Sequence, residues 1–273
     1  MGDMIDTKMN DLYKNNPQIQ KMKSSIIIMD DFIKDEKLLK EIENDTNFFP
    51  KGMGTEPRQL ISGNVYHEKD ASIYSPWFFW DGWWKTPANT VKKKVVQAIW
   101  QENLPCPLVE VVGFEYWTRT YSPGQYLPIH LDEDTFAYEK NGEFRCPMIG
   151  AVYYPHFSIG ENQDPGYLEI YQGRIPVDRN KKHQLKCIDT DSKNINDKRK
   201  MVEFLDYYQP ENKIDRISYR PNRLIILDAG LTLHGTTPTG PNSQRFIMGI
   251  NVWHIDERPT GYSDLAGFGF HYE

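Results

Sequence analysis

The stretch Tyr121-Ser122-Pro123-Gly124-Gln125-Tyr126-Leu127-Pro128-Ile129-His130-Leu131-Asp132 decides how this chain should fold. It ends with two metal-capable side chains two positions apart. On a β-strand such positions share a face, because successive side chains alternate, and Leu131 points the other way. Ser122-Pro123-Gly124 marks a turn ahead of a strand expected over 126–132. A third ligand, His234, follows the apolar run Leu224-Ile225-Ile226-Leu227 through the bend Ala229-Gly230-Leu231. To meet the first two it must lie on a neighbouring strand of the same sheet or barrel. Two neutral imidazoles and one carboxylate leave half of the coordination sphere open. That facial arrangement suits non-haem Fe(II), although zinc accepts the same ligands in some hydrolases.

Arg245, eleven residues after His234, bears on that choice. It opens the run Arg245-Phe246-Ile247-Met248-Gly249-Ile250-Asn251-Val252-Trp253, and a period of two puts Ile247, Gly249, Asn251 and Trp253 on its side. A face carrying Gly and Asn beside an arginine suits a ligand pocket better than core packing. A buried guanidinium needs an anion, and its planar fork fits a carboxylate in bidentate fashion. The anion is either an internal Asp or Glu, or a dicarboxylic keto acid whose other end chelates the metal. Tyr121 and Tyr154 are placed to donate hydroxyls to such a carboxylate, and Tyr126 shares the expected strand face of His130. If Tyr121 faces the cavity, Trp117 and Arg119 do too. Arg119 would then meet an anionic substrate group or form an ion pair with Glu115 or Glu169. Trp117, Tyr126 and Trp253 complete the candidate substrate-facing set. Asp228 is a candidate hydrogen-bond partner for a ligand histidine.

The rest of the chain is consistent with one domain over 23–273, preceded by a flexible polar arm over 1–22. Ser24 to Met29 reads as a strand. Amphipathic helices are expected over roughly 35–44 and 89–102, the second capped by Asn89 or Thr90. Further strands are expected near 109–121, 148–154, 167–171, 223–228 and 245–254. Six strands after two helices imply a mainly β barrel or sandwich with helices flanking one face. The Lys-, Asp- and Asn-rich stretch 173–221, with a helix near 192–208, reads as an insertion: a lid, a partner surface or a flexible loop. Four tryptophans lie between Trp77 and Trp84. They either seal the outside of the sheet or form an aromatic wall beside the substrate. The tail 264–273 is expected to pack back on the domain.

Composition narrows the function classes. A net charge of −6 argues against a nucleic-acid binder, which normally shows a basic face. The N-terminus lacks the apolar core of a signal peptide, and no apolar run approaches a membrane span. Cys106, Cys146 and Cys187 are few, scattered and odd in number, as expected of free thiols in a cytoplasmic protein. The sequence carries no signal for an oligomeric state.

Four segments recur in the same order in one known family: Tyr121 to Asp132, Ile149 to Tyr154, Gly166 to Tyr171, and His234 through Arg245 to Trp253. The chain resembles the Fe(II)/2-oxoglutarate-dependent dioxygenases, in their prolyl 4-hydroxylase-like branch, over roughly 24–44 and 109–256. The resemblance implies a double-stranded β-helix, a jelly-roll or cupin-like barrel buttressed by the N-terminal helices. It implies His130, Asp132 and His234 as iron ligands, and Arg245 with Tyr154 as the site of the distal 2-oxoglutarate carboxylate. Tyr121 matches a family tyrosine near the cosubstrate. The implied reaction consumes O2 and 2-oxoglutarate, yields succinate and CO2, and hydroxylates an unactivated C–H of a peptidyl (prolyl-type) or small-molecule substrate. Ascorbate would serve as an accessory reductant. A metal-dependent cupin-like hydrolase or isomerase, and a non-catalytic jelly-roll binding module, are the competing readings.

Overall fold

The computed structural model describes residues 26–49, 73–74, 78–127, 130–134, 137, 145–155, 163–174 and 214–259. The polar arm 1–22, the helix expected near 192–208, Trp77, Cys187 and the tail 264–273 lie outside the described residues. In chain order the elements are β1 (Ile27–Met29), α1 (Glu36–Asn44), β2 (Ile73–Tyr74), β3 (Phe78–Trp80), α2 (Val91–Trp100) and β4 (Val111–Tyr121). Then follow β5 (Ile149–Tyr154), β6 (Tyr167–Arg174), β7 (Ile214–Ser218), β8 (Arg223–Leu227), β9 (Thr232–Thr236) and β10 (Arg245–His254). Among the described residues no helix is long and apolar enough to cross a membrane.

The helices start where capping chemistry starts them. Asp35 accepts from Lys37 N and Leu38 N at the head of α1, and Thr90 accepts from Lys93 N at the head of α2. These side chains satisfy amide hydrogens that a first turn leaves without partners.

All strand pairing is antiparallel. The larger sheet runs β1-β8-β5-β10-β4-β2, with β3 also on β4, and the smaller runs β7-β6-β9. Strand alternation gives the larger sheet two different faces. On one, Phe114, Tyr116, Ile149, Ala151, Tyr153, Leu224, Ile226, Met248, Ile250 and Val252 form a single cluster with Leu38 and Ile42 of α1 and Val95, Val96, Ile99 and Trp100 of α2. On the other, Tyr121, Tyr154, Ile225, Leu227 and Ile247 pack with Leu168, Ile170 and Ile217 of the smaller sheet. The two sheets thus share an inner core, and the helices cover the larger sheet's outer face.

The aromatic segment belongs mainly to that outer face. Phe78, Trp80, Trp83 and Trp84 pack in the helix-side cluster, with Trp83 stacked on Phe114 at 5.5 Å between ring centroids. Phe79 alone turns inward, against Val112 and Trp253.

Two expectations require correction. The described residues of the ligand segment 126–132 do not form the expected strand: among them only His130 forms a β-bridge. The expected insertion also ends earlier than 221. Residues 214–218 are β7, paired along β6, and Ile217 and Tyr219 are buried in the inner core. Two adjacent charged residues on an edge strand, the half-buried Asp215 and the exposed Arg216, gave this stretch a loop-like composition. Cys106 and Cys146 are buried free thiols.

Asn222 ties the start of the chain to this scaffold. It sits at φ 58°, a left-handed conformation that asparagine tolerates. Its side chain accepts from Ile33 N at 3.0 Å and from the Tyr153 hydroxyl at 3.1 Å, and donates to Ile33 O at 3.0 Å. Asn222→Ala removes three buried hydrogen bonds and adds backbone strain, so we expect a loss of about 2–4 kcal/mol in urea unfolding. Asn222→Gly keeps the backbone freedom and should lose less.

Candidate metal centre

His130 and His234 meet because their backbones pair. His130 N donates to His234 O at 2.9 Å and His234 N donates to His130 O at 3.1 Å, a closed antiparallel bridge. Directly opposed residues project to the same side of a sheet. The two imidazoles therefore sit side by side, with ring centroids 4.3 Å apart. His234 is in turn opposite Ile170 of β6, whose side chain is in the inner core. The row Ile170, His234, His130 crosses the smaller sheet and its added edge on the inner face.

Asp132 follows two residues later, anchored by its backbone N–H to Ala229 O at 2.9 Å. Its Oδ1 lies 3.2 Å from His130 Nε2 and 3.7 Å from His234 Nε2. One ligand atom from each residue falls within 4.8 Å of the others, the convergence expected of three ligands on one ion. His234 Nδ1 is 2.9 Å from Thr232 O. A carbonyl can only accept, so Nδ1 carries the proton and Nε2 keeps its lone pair for a metal. For His234 the partner at Nδ1 is a backbone carbonyl, and the backbone carbonyl of Asp228 receives Leu231 N and Thr232 N in the bend before β9.

The electrostatics favour the ligating forms. Burial pulls His234 down to about 4, reinforced by the neighbouring His130, so its ring is neutral near pH 7. Burial pushes the Asp132 carboxyl up, but the hydrogen bond from His130 and the proximity of the two imidazoles outweigh it and hold it below the ordinary range.

Arg245 lies at the start of β10, opposite Tyr121. It is fully buried, at 0% exposure. Its guanidinium donates to Pro165 O at 2.7 Å, Thr237 O at 3.1 Å and Thr236 Oγ1 at 2.7 Å. All three acceptors are neutral, and among the described residues no carboxylate reaches it. Burial holds this cation below its ordinary pKa, while the phenols of Tyr121, Tyr154 and Tyr219 oppose the shift. The Tyr154 and Tyr219 hydroxyls are buried without hydrogen-bond partners among the described residues, their rings 4.7 Å apart. Burial pushes Tyr154 up to about 12, so the phenol remains a donor. A buried cation without an anion, beside two donors without acceptors, is the complement of a carboxylate.

Gly166 makes this corner possible. At φ +76° a Cβ there would stand 2.9 Å from Arg245 Nη1 and 2.7 Å from Thr237 Oγ1.

Two solved structures resemble most of the chain. A prolyl-4-hydroxylase from Pseudomonas putida matches with a TM-score of 0.51 and 13% identity, over 89% of this chain and 98% of that one. A prolyl hydroxylase from Trichoplax adhaerens, in complex with a peptide fragment of the hypoxia inducible factor oxygen degradation domain, matches with a TM-score of 0.50 and 16% identity. That alignment covers 95% of this chain and 96% of the other. The chain has the prolyl 4-hydroxylase fold. No protein-family profile and no curated protein matches the sequence.

Within this prolyl 4-hydroxylase-like fold the remaining sequence candidates separate. The Arg119 guanidinium lies 4.3 Å from the Tyr121 ring centroid, and that of Arg245 lies 4.4 Å from the same ring. Arg119 therefore stands beside Arg245, across the Tyr121 ring, on the inner face. The carboxylates considered for it are engaged elsewhere: Glu169 with Arg216, and Glu115 with Asn251 and Trp253. Trp117 is half-buried on the inner face opposite Gly249, where a Cβ would come within 2.4 Å of its indole. Tyr126 is half-buried in the loop after β4. Trp253 is buried, and its indole N–H donates to Glu115 Oε2 at 3.0 Å.

Sequence reasoning missed Tyr219, hidden in the presumed insertion, and Glu115, which alternation placed on this face but only as a partner for Arg119. Burial raises Glu115 to about 8, with the negative charge of Asp132 adding to it and hydrogen bonds from Asn251 and Trp253 opposing it. A folded-state pKa above the unfolded value means that the stabilising contribution is complete below about 4.5 and is lost as pH rises through about 8. Relative to Glu115→Gln, the metal-free wild type should lose up to about 1.4 kcal/mol per pH unit across that window. Urea unfolding at pH 6 and pH 8.5 measures the difference, and parallel curves for the two proteins would refute it.

Proposed function

We propose that this protein is an Fe(II)- and 2-oxoglutarate-dependent oxygenase that hydroxylates an unactivated C–H bond, with a double-stranded β-helix as its scaffold. One observation carries the reading: a buried arginine and two buried phenols, which among the described residues have no carboxylate and no hydrogen-bond partner respectively, stand in the core that holds a convergent His-Asp-His set. The donor set fits the metal, because two imidazoles and one carboxylate leave positions open. The pocket fits the cosubstrate, because it supplies a cation and hydroxyl donors where a keto diacid has a carboxylate.

Bound iron would supply the O2 chemistry coupled to decarboxylation of the keto acid. The chain's part is ligation, orientation and exclusion of water. His130, Asp132 and His234 hold the ion, with the His234 tautomer set by Thr232 O. Arg245, Tyr154 and Tyr219 hold the distal carboxylate, and Thr236 Oγ1 fixes the guanidinium that does so. Tyr121 and Arg119 are read as the lining of the same end, so Arg119 serves the cosubstrate rather than the substrate. Trp117 faces the cavity as a substrate contact. A peptidyl or small-molecule substrate is compatible with this wall, and the peptide bound to the Trichoplax relative supports the former. A hydrolase on the same barrel would leave Arg245 and its phenols without a purpose.

The test is an anaerobic titration of Fe(II) and 2-oxoglutarate followed by their visible charge-transfer band, then a substrate screen by succinate release. The band should require His234 and weaken with Arg245→Ala. Wild-type protein that never forms it, or forms it equally well without Arg245, would overturn the reading. Arg245→Ala should raise the 2-oxoglutarate Kd by roughly 100-fold or more, and Tyr219→Phe by about tenfold, as loss of charge-assisted and neutral hydrogen bonds dictates. Gly166→Ala should also weaken 2-oxoglutarate while leaving Fe(II) affinity intact, because its methyl displaces Arg245 and not the imidazoles.

A further inference from the structure

A cavity of about 530 Å³ lies at the β3 edge of the larger sheet, in the size range of small-molecule sites. None of its described lining residues belongs to the His-Asp-His set or to the Arg245 corner. Three cations line it: Lys85 from the turn after β3, Lys93 from the first turn of α2, and Arg258 just beyond β10. Among the described residues Asp81 is the one carboxylate on this wall. The wall thus carries a formal charge of +2 in a chain whose net charge is −6. Its apolar part is formed by Phe79, Trp80, Pro87 and Val112.

The charged groups are held in place by local bonds. Lys85 N and Thr86 N both donate to Gly82 O at 3.0 Å, which closes the turn. Asp81 Oδ1 accepts from Thr86 Oγ1 at 2.9 Å, and that hydroxyl accepts from the Trp80 indole N–H at 2.6 Å. The acid is therefore tied into its own turn. Lys93 is only 6% exposed, deeper than a lysine usually lies, and its Nζ donates to the neutral Asn89 Oδ1 at 3.2 Å. The backbone of Arg258 is anchored by Arg145 Nη1, which donates to its carbonyl at 2.9 Å. Like charges gathered from three separate elements repel one another, and an anion bound between them turns that cost into attraction.

We propose that this cavity binds a small organic phosphate monoester with a flat apolar body. The inference does not rest on the metal-centre reading. A phosphate monoester carries a charge of about −1.5 to −2 near pH 7, which matches the excess on the wall. Its three terminal oxygens accept from two ammonium groups and a guanidinium at once, in the charge-assisted bonds that lysine and arginine form best. A monocarboxylate would answer only half of the excess charge. The ring surfaces of Phe79 and Trp80, with Pro87 and Val112, supply the apolar contact for the body.

The experiment titrates the full-length, metal-free protein with phenyl phosphate by calorimetry, with inorganic phosphate and phenol as the two halves of the probe. Phenyl phosphate should saturate at one site. Inorganic phosphate should bind about tenfold or more weakly, because it lacks the ring that buries apolar surface. Phenol should show no saturable binding at the same concentrations. Lys93→Gln and Arg258→Gln should each raise the phenyl phosphate Kd by about tenfold or more, the loss of one charge-assisted hydrogen bond. Arg245→Ala should leave it within about twofold of wild type, because that corner shares no residue with this cavity. Absence of saturation, wild-type Kd in both Lys93→Gln and Arg258→Gln, or loss of binding in Arg245→Ala would overturn the proposal. Phenol binding as tightly as phenyl phosphate, or inorganic phosphate doing so, would overturn the ligand class. If the buried Lys93→Gln variant does not fold, the exposed Lys85→Gln takes its place beside Arg258→Gln, and wild-type Kd in both then overturns the proposal.

Discussion

The closed hydrogen-bonded bridge between His130 and His234 is the contact on which the rest of the site depends. It converts a large separation in sequence into a fixed cross-strand neighbour relation, and it does so with backbone groups that no side-chain change can retune. Once the two residues oppose each other on the inner face, their imidazoles must sit side by side. The Asp132 amide, bonded to Ala229 O, then brings the carboxylate beside them. The irregular chain around these residues is no defect. A continuous strand would run on along β9, whereas a single bridge lets Asp132 be placed by the bend at Ala229.

The second organising constraint is a deficit. Protein interiors rarely leave a cation without an anion or a hydroxyl without an acceptor. Among the described residues, Arg245, Tyr154 and Tyr219 leave all three deficits in one corner, where each is costly and where one carboxylate would relieve them together. Strand β10 runs from that corner along the inner face. Arg245 stands at its start, Gly249 makes room for Trp117 in the middle, and Asn251 and Trp253 donate to Glu115 further along. One strand thereby sets the spacing between the carboxylate corner and Glu115.

The two faces of the larger sheet divide the work. The outer face is mainly apolar and is sealed by two helices and the tryptophan-rich segment, which gives the inner face a rigid backing. Polar groups are concentrated on the inner face, where their strand register fixes them to within a residue.

Much of this was legible in the sequence, and for identifiable reasons. The period-two patterns of β4, β5, β8 and β10 survive because each strand has one face against helices. The caps Asp35 and Thr90 declare themselves by residue type, and the His-x-Asp, His and Arg set carries its chemistry in its side chains. What pairs with what was not legible. The strand character of 214–218 was masked because an edge strand exposes charged residues like those of a loop, and Tyr219 was lost with it. The partner of His234 Nδ1 is a backbone carbonyl, which every residue possesses and no sequence distinguishes. The hydrogen bonds of Asn251 and Trp253 to Glu115 depend on the register of β4 against β10. Sequence alone determined which side chains could bind a metal and a carboxylate, because that is a property of the residues themselves. Only the tertiary structure decided which of them share a row, and which buried groups were left without partners, because both are properties of strand pairing.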